Sequence, residues 1–241
     1  MRNGIRRRCA AESTVCTVGA WRLRVCHTSL MARVWPDFTR DFIELVLGYV
    51  MILGVIWTPD SLQRLLAPVA LMATAAIIVA RREGRDELGL GWRRFVPSLW
   101  ILFAAVAVTA LSVVIASKVG TLHSVDASAG HAAGYVLWTL YQQLLLQDYF
   151  AARLLRMISS EAGAVGLSAL LFATAHLPNL ALTAATLVWG VISCALFRRY
   201  RNLYVLGLAQ GLLGLGFAAC VPDASHHHMR VGLGYLQYGG R

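Results

Sequence analysis

The sequence is short of charge. Of its 241 residues only 14% are Asp, Glu, Lys or Arg, against 58% hydrophobic, and the mean hydropathy is +0.60. A soluble domain carries about 25% charged residues, so the composition excludes an ordinary soluble fold and points to an integral membrane protein. Lysine is nearly absent: Lys118 is the only one and it falls between apolar runs, which leaves none for a Schiff base inside a span. Five cysteines (Cys9, Cys16, Cys26, Cys194 and Cys220) form no CxxC and no zinc-ligand spacing, and their odd number argues against a disulfide framework. HExxH, GxSxG, an intramembrane GxGD and DDxxD are missing too. Their absence removes a helix-borne zinc protease, an elbow serine hydrolase, an aspartate intramembrane protease and aspartate-based diphosphate chemistry. No metal and no cofactor is expected.

What charge there is runs to one sign: 22 basic residues against 12 acidic, net +10, with a pI near 10.0. Nucleic-acid binding is the first reading of such a balance. The basic residues, however, sit in short clusters between apolar runs, with no aromatic-interleaved stripe and no finger spacing. Membrane lipids are therefore the expected partner, and nucleic acid is not.

Seven apolar runs are candidate spans: Phe42–Trp57, Leu62–Ala80, Ser98–Ser117, Ala132–Ala152, Ala164–His176, Leu180–Phe197 and Leu203–Cys220. Several are shorter than the usual ~20 residues, and Pro178 follows the fifth, where it ends a helix. With the N-terminus inside, the inner segments hold 18 of the 22 basic residues, the asymmetry expected of cytoplasmic loops. The expectation is an all-α polytopic bundle of about seven transmembrane helices (six to eight), N-in and C-out, in the inner (plasma) membrane. The helical membrane domain is expected over residues 36–220, with its motif core at 138–214. Residues 1–35, rich in arginine and faintly like an organelle transit peptide, are expected to be a disordered or non-authentic extension, with translation from Met31. The segment from Arg81 to Pro97 reads as a mostly solvated inner loop with Trp92 at headgroup level.

Within this apolar chain one cluster stands out. Tyr141-Gln142-Gln143-Leu144-Leu145-Leu146-Gln147 puts three amides into a span, and His176 and Gln210 lie in two later ones. Polar groups at membrane depth are costly and mark function more often than elsewhere. Gln143 and Gln147, four apart, share a helix face and can satisfy each other's amides. At 1.5 Å per residue, Gln142 lies roughly 16 Å from the inner end of its span, His176 roughly 18 Å and Gln210 roughly 12 Å. Amide glue between helices is the plain alternative, worth about 0.6 kcal/mol per contact. Three amides within six residues, at the depth of a histidine, favour a polar pocket.

These residues resemble the CPBP family, named for CAAX-protease and bacteriocin-processing enzymes. Its motifs on successive helices are EExxxR, FxxxH and a final HxxxN-like pair. The resemblance runs from about Trp138 to Gly214 through TyrGlnGlnLeuLeuLeuGlnAspTyrPhe, LeuPheAlaThrAlaHisLeuProAsn and TrpGlyValIleSerCysAlaLeuPheArgArgTyrArgAsnLeuTyr, with a weaker GluLeuGlyLeuGlyTrpArgArgPhe upstream. It implies an intramembrane peptidase fold acting on prenylated CAAX peptides. In that family the first glutamate activates water, while the histidines and asparagine stabilise the oxyanion. By this match Gln142 stands at the catalytic glutamate, Gln143 at the second glutamate and Gln147 at the arginine. His176 and Phe172 keep the second motif. Gln210 replaces the third-motif histidine and Gly214 the residue four on; Asn179 is a further supporting position.

A glutamine is not deprotonated near neutral pH and cannot be a general base. Replacing the Glu/Arg pair by Gln143 and Gln147 together avoids stranding a buried charge, which costs roughly 3–5 kcal/mol. Three readings stay open at this point. One is a peptidase with a displaced acid, Glu44 or Asp148, the latter needing a helix irregularity to reach the pocket and sharing its face with Tyr141. Another is a non-proteolytic protein that binds a prenylated peptide, an isoprenoid lipid or a membrane partner. The last is a non-hydrolytic isoprenoid enzyme using His176 as acid and base. His226, His227 and His228, being adjacent, cannot all face one ion from a helix, so residues 221–241 are expected to be a plain external loop.

Overall fold

The computed structural model describes residues 22–81, 84–125 and 128–238, with backbone alone for 22–36. Cys9 and Cys16, and most of the basic extension, lie outside the described residues. The chain divides into two compact units, residues 1–40 and residues 41–241, and apart from the first part of α1 the features below belong to the second.

The described chain is helical, without a strand. Its long helices are α1 (Arg22–Ile56), α2 (Asp60–Ala80), α4 (Trp100–Val119), α5 (Ala129–Leu144), α7 (Glu161–Thr174), α8 (Leu180–Tyr200) and α9 (Leu203–Cys220). Short helices are α3 (Phe95–Ser98), α6 (Ala152–Met157), α10 (Asp223–His226) and α11 (Gly232–Leu236). Every expected span coincides with a helix. Helix α1 starts at Arg22 rather than near Phe42. Among the described residues four helices (α2, α4, α8 and α9) are long and apolar enough to cross a membrane. Their outer faces carry side chains such as Val79, Phe103 and Leu180, which are 72%, 73% and 73% exposed. Apolar surface of that extent belongs in lipid.

The starts of four helices are written in the sequence. Ser128, Ser160, Asn179 and Asn202 each accept a hydrogen bond from the backbone N–H three residues on, at the heads of α5, α7, α8 and α9. Such caps satisfy donors that a helix leaves open at its first turn. Helices α5 and α6 are joined by a π-helical stretch, Leu145–Ala151, so that Ala129 to Met157 forms one rod with a widened, fully buried middle. Nothing in Leu-Leu-Gln-Asp-Tyr-Phe-Ala announces this, since it has neither Gly nor Pro. Such inserted turns re-aim side chains and cluster at functional sites.

Helix α9 packs closely on α4 and α5, and α7 on α8. Gly207 allows the α5–α9 approach, because a Cβ there would overlap the side chain of Leu140. Thr139 fastens the same junction by donating its hydroxyl to the Gly207 carbonyl at 2.9 Å. One core cluster gathers Leu45, Ile78, Tyr149, Phe150, Leu154 and Ala164, and another gathers Ile101, Ala105, Phe197, Val205, Leu206 and Ala209.

At one end of the bundle five charged side chains form a network. Glu44 Oε2 accepts from Arg81 Nη2 at 2.8 Å and from Arg153 Nη2 at 2.7 Å, while Asp41 binds Arg81 at 2.5 Å and Arg156 at 2.7 Å. Arg153 is buried, lies 3.9 Å from the Tyr149 ring centroid and donates to the carbonyls of Asp148 and Tyr149. The segment before α3 is folded rather than merely solvated. Trp92 stacks on Tyr204 at 5.3 Å, and the Gly89 carbonyl accepts from Leu203 N at 2.9 Å.

Candidate functional site

Close approach of α5 and α9 brings the amides into one file. Gln147 Nε2 donates to Gln143 Oε1 at 3.0 Å, Gln143 Nε2 to Gln210 Oε1 at 2.6 Å, and Gln210 Nε2 to Gln142 Oε1 at 2.6 Å. The i,i+4 contact expected of Gln143 and Gln147 is present, and Gln210 joins them from α9. Trp189 of α8 sets the direction of the file. Its indole nitrogen donates to Gln210 Oε1 at 3.0 Å, and an indole N–H can only donate. Gln210 must therefore turn its oxygen toward Trp189 and its nitrogen toward Gln142. Gln142 in turn spends its oxygen on Gln210, and no acceptor stands at its Nε2 among the described residues. Gln143, Gln147 and Gln210 are buried, whereas Gln142 is partly open. Gln147 also reaches Ser193 Oγ at 3.4 Å.

His176 sits just past the end of α7. Its Nδ1 lies 2.8 Å from the Phe172 carbonyl, and its ring meets the Phe172 ring edge-on with centroids 5.0 Å apart. A carbonyl oxygen only accepts, so in the neutral ring Nδ1 carries the proton and Nε2 is left as an acceptor. The i,i+4 spacing of Phe172 and His176 thus fixes both ring orientation and tautomer.

Asn179, named as a supporting position, stands at the head of α8. Its Oδ1 accepts from Leu182 N at 3.0 Å, and its Nδ2 donates to the carbonyls of His226 at 2.8 Å and Arg230 at 3.1 Å. The C-terminal segment, expected as a plain loop, is therefore a folded cover docked on the turn that follows His176. Gly232 N also bonds the Leu177 carbonyl at 2.8 Å. The three histidines part company. His226 is buried and donates from Nε2 to the Val221 carbonyl at 3.0 Å, His227 stacks on Tyr235 at 4.2 Å, and His228 contacts Asp223 at 2.9 Å.

Gly214 lies one turn beyond Gln210. A Cβ on Gly214 would collide with the hydroxyl and ring of Tyr135 from α5. Tyr135 thus fills the space that a side chain at position 214 would occupy. Its hydroxyl has no hydrogen-bond partner among the described residues.

Gln142, Gln210, His176, Tyr135 and Gly214 line one cavity of about 990 Å³. Met229 and Val231 of the C-terminal cover line it as well. Among the described residues its wall includes no Asp, Glu, Lys or Arg and is dominated by apolar side chains. The two carboxylates weighed as displaced acids lie elsewhere. Glu44 is bound into the arginine network, and Asp148, despite the π-helical stretch, lines a separate pocket of about 250 Å³ with Gln147, Cys194 and Arg156. The Tyr141 hydroxyl bonds Thr74.

Trp189, Ser193 and Tyr135 were not singled out by sequence. Trp189 and Ser193 are four apart on α8, a donor and a hydroxyl in an apolar run, which was the available signal. Tyr135 sits two turns before Gln142 and Gln143 on the same helix. No curated protein and no solved structure matches the chain. Residues 129–215, which run from the head of α5 through most of α9 and contain Gln142, Gln143, Gln147, His176 and Gln210, match the family model for type II CAAX prenyl endopeptidase Rce1-like proteins, and so bear out the CAAX-protease-like resemblance of the motifs.

Proposed function

We propose that this membrane CAAX-protease-like protein holds a prenylated or isoprenoid chain in its cavity and does not hydrolyse a peptide there. One observation carries the reading: Gln142 and Gln210 bring the amide file to the cavity, and no carboxylate lines it among the described residues. Amides hold and orient a ligand, but they do not remove a proton. His176 acting alone would leave an imidazolium in a cavity without a counter-charge, which burial opposes. Size and apolar lining suit a long hydrocarbon chain, the cavity lying at the upper end of small-molecule pockets. In the same reading the seven long helices all cross the inner (plasma) membrane with the N-terminus inside, as the distribution of basic residues favours.

The test is a prenylated CAAX peptide incubated with the purified full chain, alongside mass spectrometry of lipids that copurify. No cleavage and a recurrent isoprenoid are expected. Robust cleavage by the unmodified chain would overturn the reading.

A further inference from the structure

We propose that the cavity's ligand carries an uncharged hydroxyl head, so that the protein selects a neutral long-chain alcohol over the corresponding diphosphate, carboxylate or bare hydrocarbon. The proposal rests on the reading that the cavity takes an isoprenoid chain, and it concerns only the polar end of that chain.

The argument begins at Trp189. Because its indole nitrogen only donates, it fixes Gln210, and Gln210 fixes Gln142 with its Nε2 hydrogens left for the cavity. Gln147 and Gln143 feed the same file in the same sense. Hydrogen bonds in series polarise one another, which strengthens the donor at the open end. On the α7 side, the Phe172 carbonyl holds the proton of His176 on Nδ1 and leaves Nε2 as an acceptor. At the end of the cavity that these helices form, the lining therefore presents a donor at Gln142, an acceptor at His176 and, at Tyr135, a hydroxyl able to serve either way, while Gln63 lines it from α2.

A single hydroxyl matches that set. Its oxygen accepts from Gln142 and its proton goes to His176. A hydrocarbon leaves both groups unsatisfied, which is the costly state for polar groups shielded from water. A diphosphate or carboxylate brings charge into a lining without Lys or Arg, where nothing offsets its desolvation. A carboxylate also offers no proton to His176 Nε2.

The experiment compares four 15-carbon ligands on the full chain in lipid nanodiscs: farnesol, farnesyl diphosphate, farnesoic acid and farnesene. Affinities are read by displacement of a fluorescent isoprenoid. Farnesol is expected to bind about tenfold more tightly than each of the other three, the scale set by one hydrogen bond left unmade. Gln142→Leu is expected to bring farnesol down to the level of farnesene and to leave farnesene unchanged. Trp189→Phe, which keeps the bulk and removes the donor, is expected to narrow the same gap. Equal binding of farnesol and farnesene, or tighter binding of an anionic ligand, would overturn the hydroxyl assignment while the lipid-cavity reading stands. Displacement by none of the four would overturn the lipid-cavity reading and the assignment with it.

Discussion

The hydroxyl of Tyr135 lies over the Cα of Gly214, in the space that any side chain at position 214 needs. Gly214→Asn would restore an amide at the third-motif position only by displacing that ring. Overpacking of this kind costs about 1–3 kcal/mol. The expected outcome is a lowered thermal midpoint for Gly214→Asn and a partial recovery when Tyr135→Ala is added. A midpoint unchanged in the single variant would show that the ring swings away freely.

Gln143 both donates to Gln210 and accepts from Gln147. Gln143→Leu removes one of two donors from Gln210 Oε1, which keeps Trp189, and leaves Gln147 Nε2 only the longer contact to Ser193. A buried group left wholly unsatisfied costs about 1–3 kcal/mol, and these remaining contacts put the expected loss at the lower end. Gln143→Glu keeps the acceptor but sets a charge among amides, and it is expected to lose more. Thermal unfolding in a single detergent should rank the wild type above Gln143→Leu, and Gln143→Leu above Gln143→Glu.

Gln142→Glu supplies a carboxylate at the motif position while Gln210 remains an amide. Cleavage of a prenylated CAAX peptide is expected to stay at background, because the second imidazole to which the family resemblance gives a share of the oxyanion is still missing. Gln142→Glu combined with Gln210→His is the variant in which cleavage should first rise above background.

Glu44 binds two arginines, one of them the buried Arg153. Glu44→Ala would leave Arg153 with the Tyr149 ring and two carbonyls but no carboxylate at bonding distance. Breaking a buried pair from one side costs about 3–5 kcal/mol, and those remaining contacts put the expected loss at the lower end. A fall in stability with unchanged lipid copurification would mark Glu44 as structural rather than catalytic.

The carboxyl of Asp223 is held below its ordinary range. Burial alone would raise it, but the His228 N–H at 2.7 Å, the nearby His228 and His226 rings and the Tyr238 hydroxyl outweigh that. A depressed carboxyl contributes stability above its unfolded value of about 3.9, and that contribution is lost as pH falls through the folded value. Proteolysis of residues 222–238 should therefore accelerate as the pH is taken below about 4. Asp223→Asn should abolish that pH dependence.

Hydropathy found an apolar run in every long helix, because such runs are local properties of the chain. The Gln143–Gln147 contact was legible for the same reason: four residues on a helix always meet. Gln210 was placed by depth, and the structure joins it to Gln142 and Gln143. What escaped depends on partners distant in sequence. An indole such as Trp189 reads as apolar bulk until a carbonyl oxygen stands opposite its nitrogen. Asn179 looked like part of a polar pocket, yet its amide caps α8 and holds the C-terminal cover by two carbonyls some 50 residues away. The π-helical stretch has no compositional cause, so it arises from how Leu145 to Ala151 is packed on all sides.

Helix α9 is seated on Leu140 through Gly207 and on Tyr135 through Gly214, one turn to either side of Gln210. A helix keyed on both sides of its polar residue has no freedom to roll about its own axis. Gln210 cannot follow a guest molecule. Whatever enters must conform to a fixed template, and changes in fit have to come from the guest or from the C-terminal cover that carries Met229 and Val231.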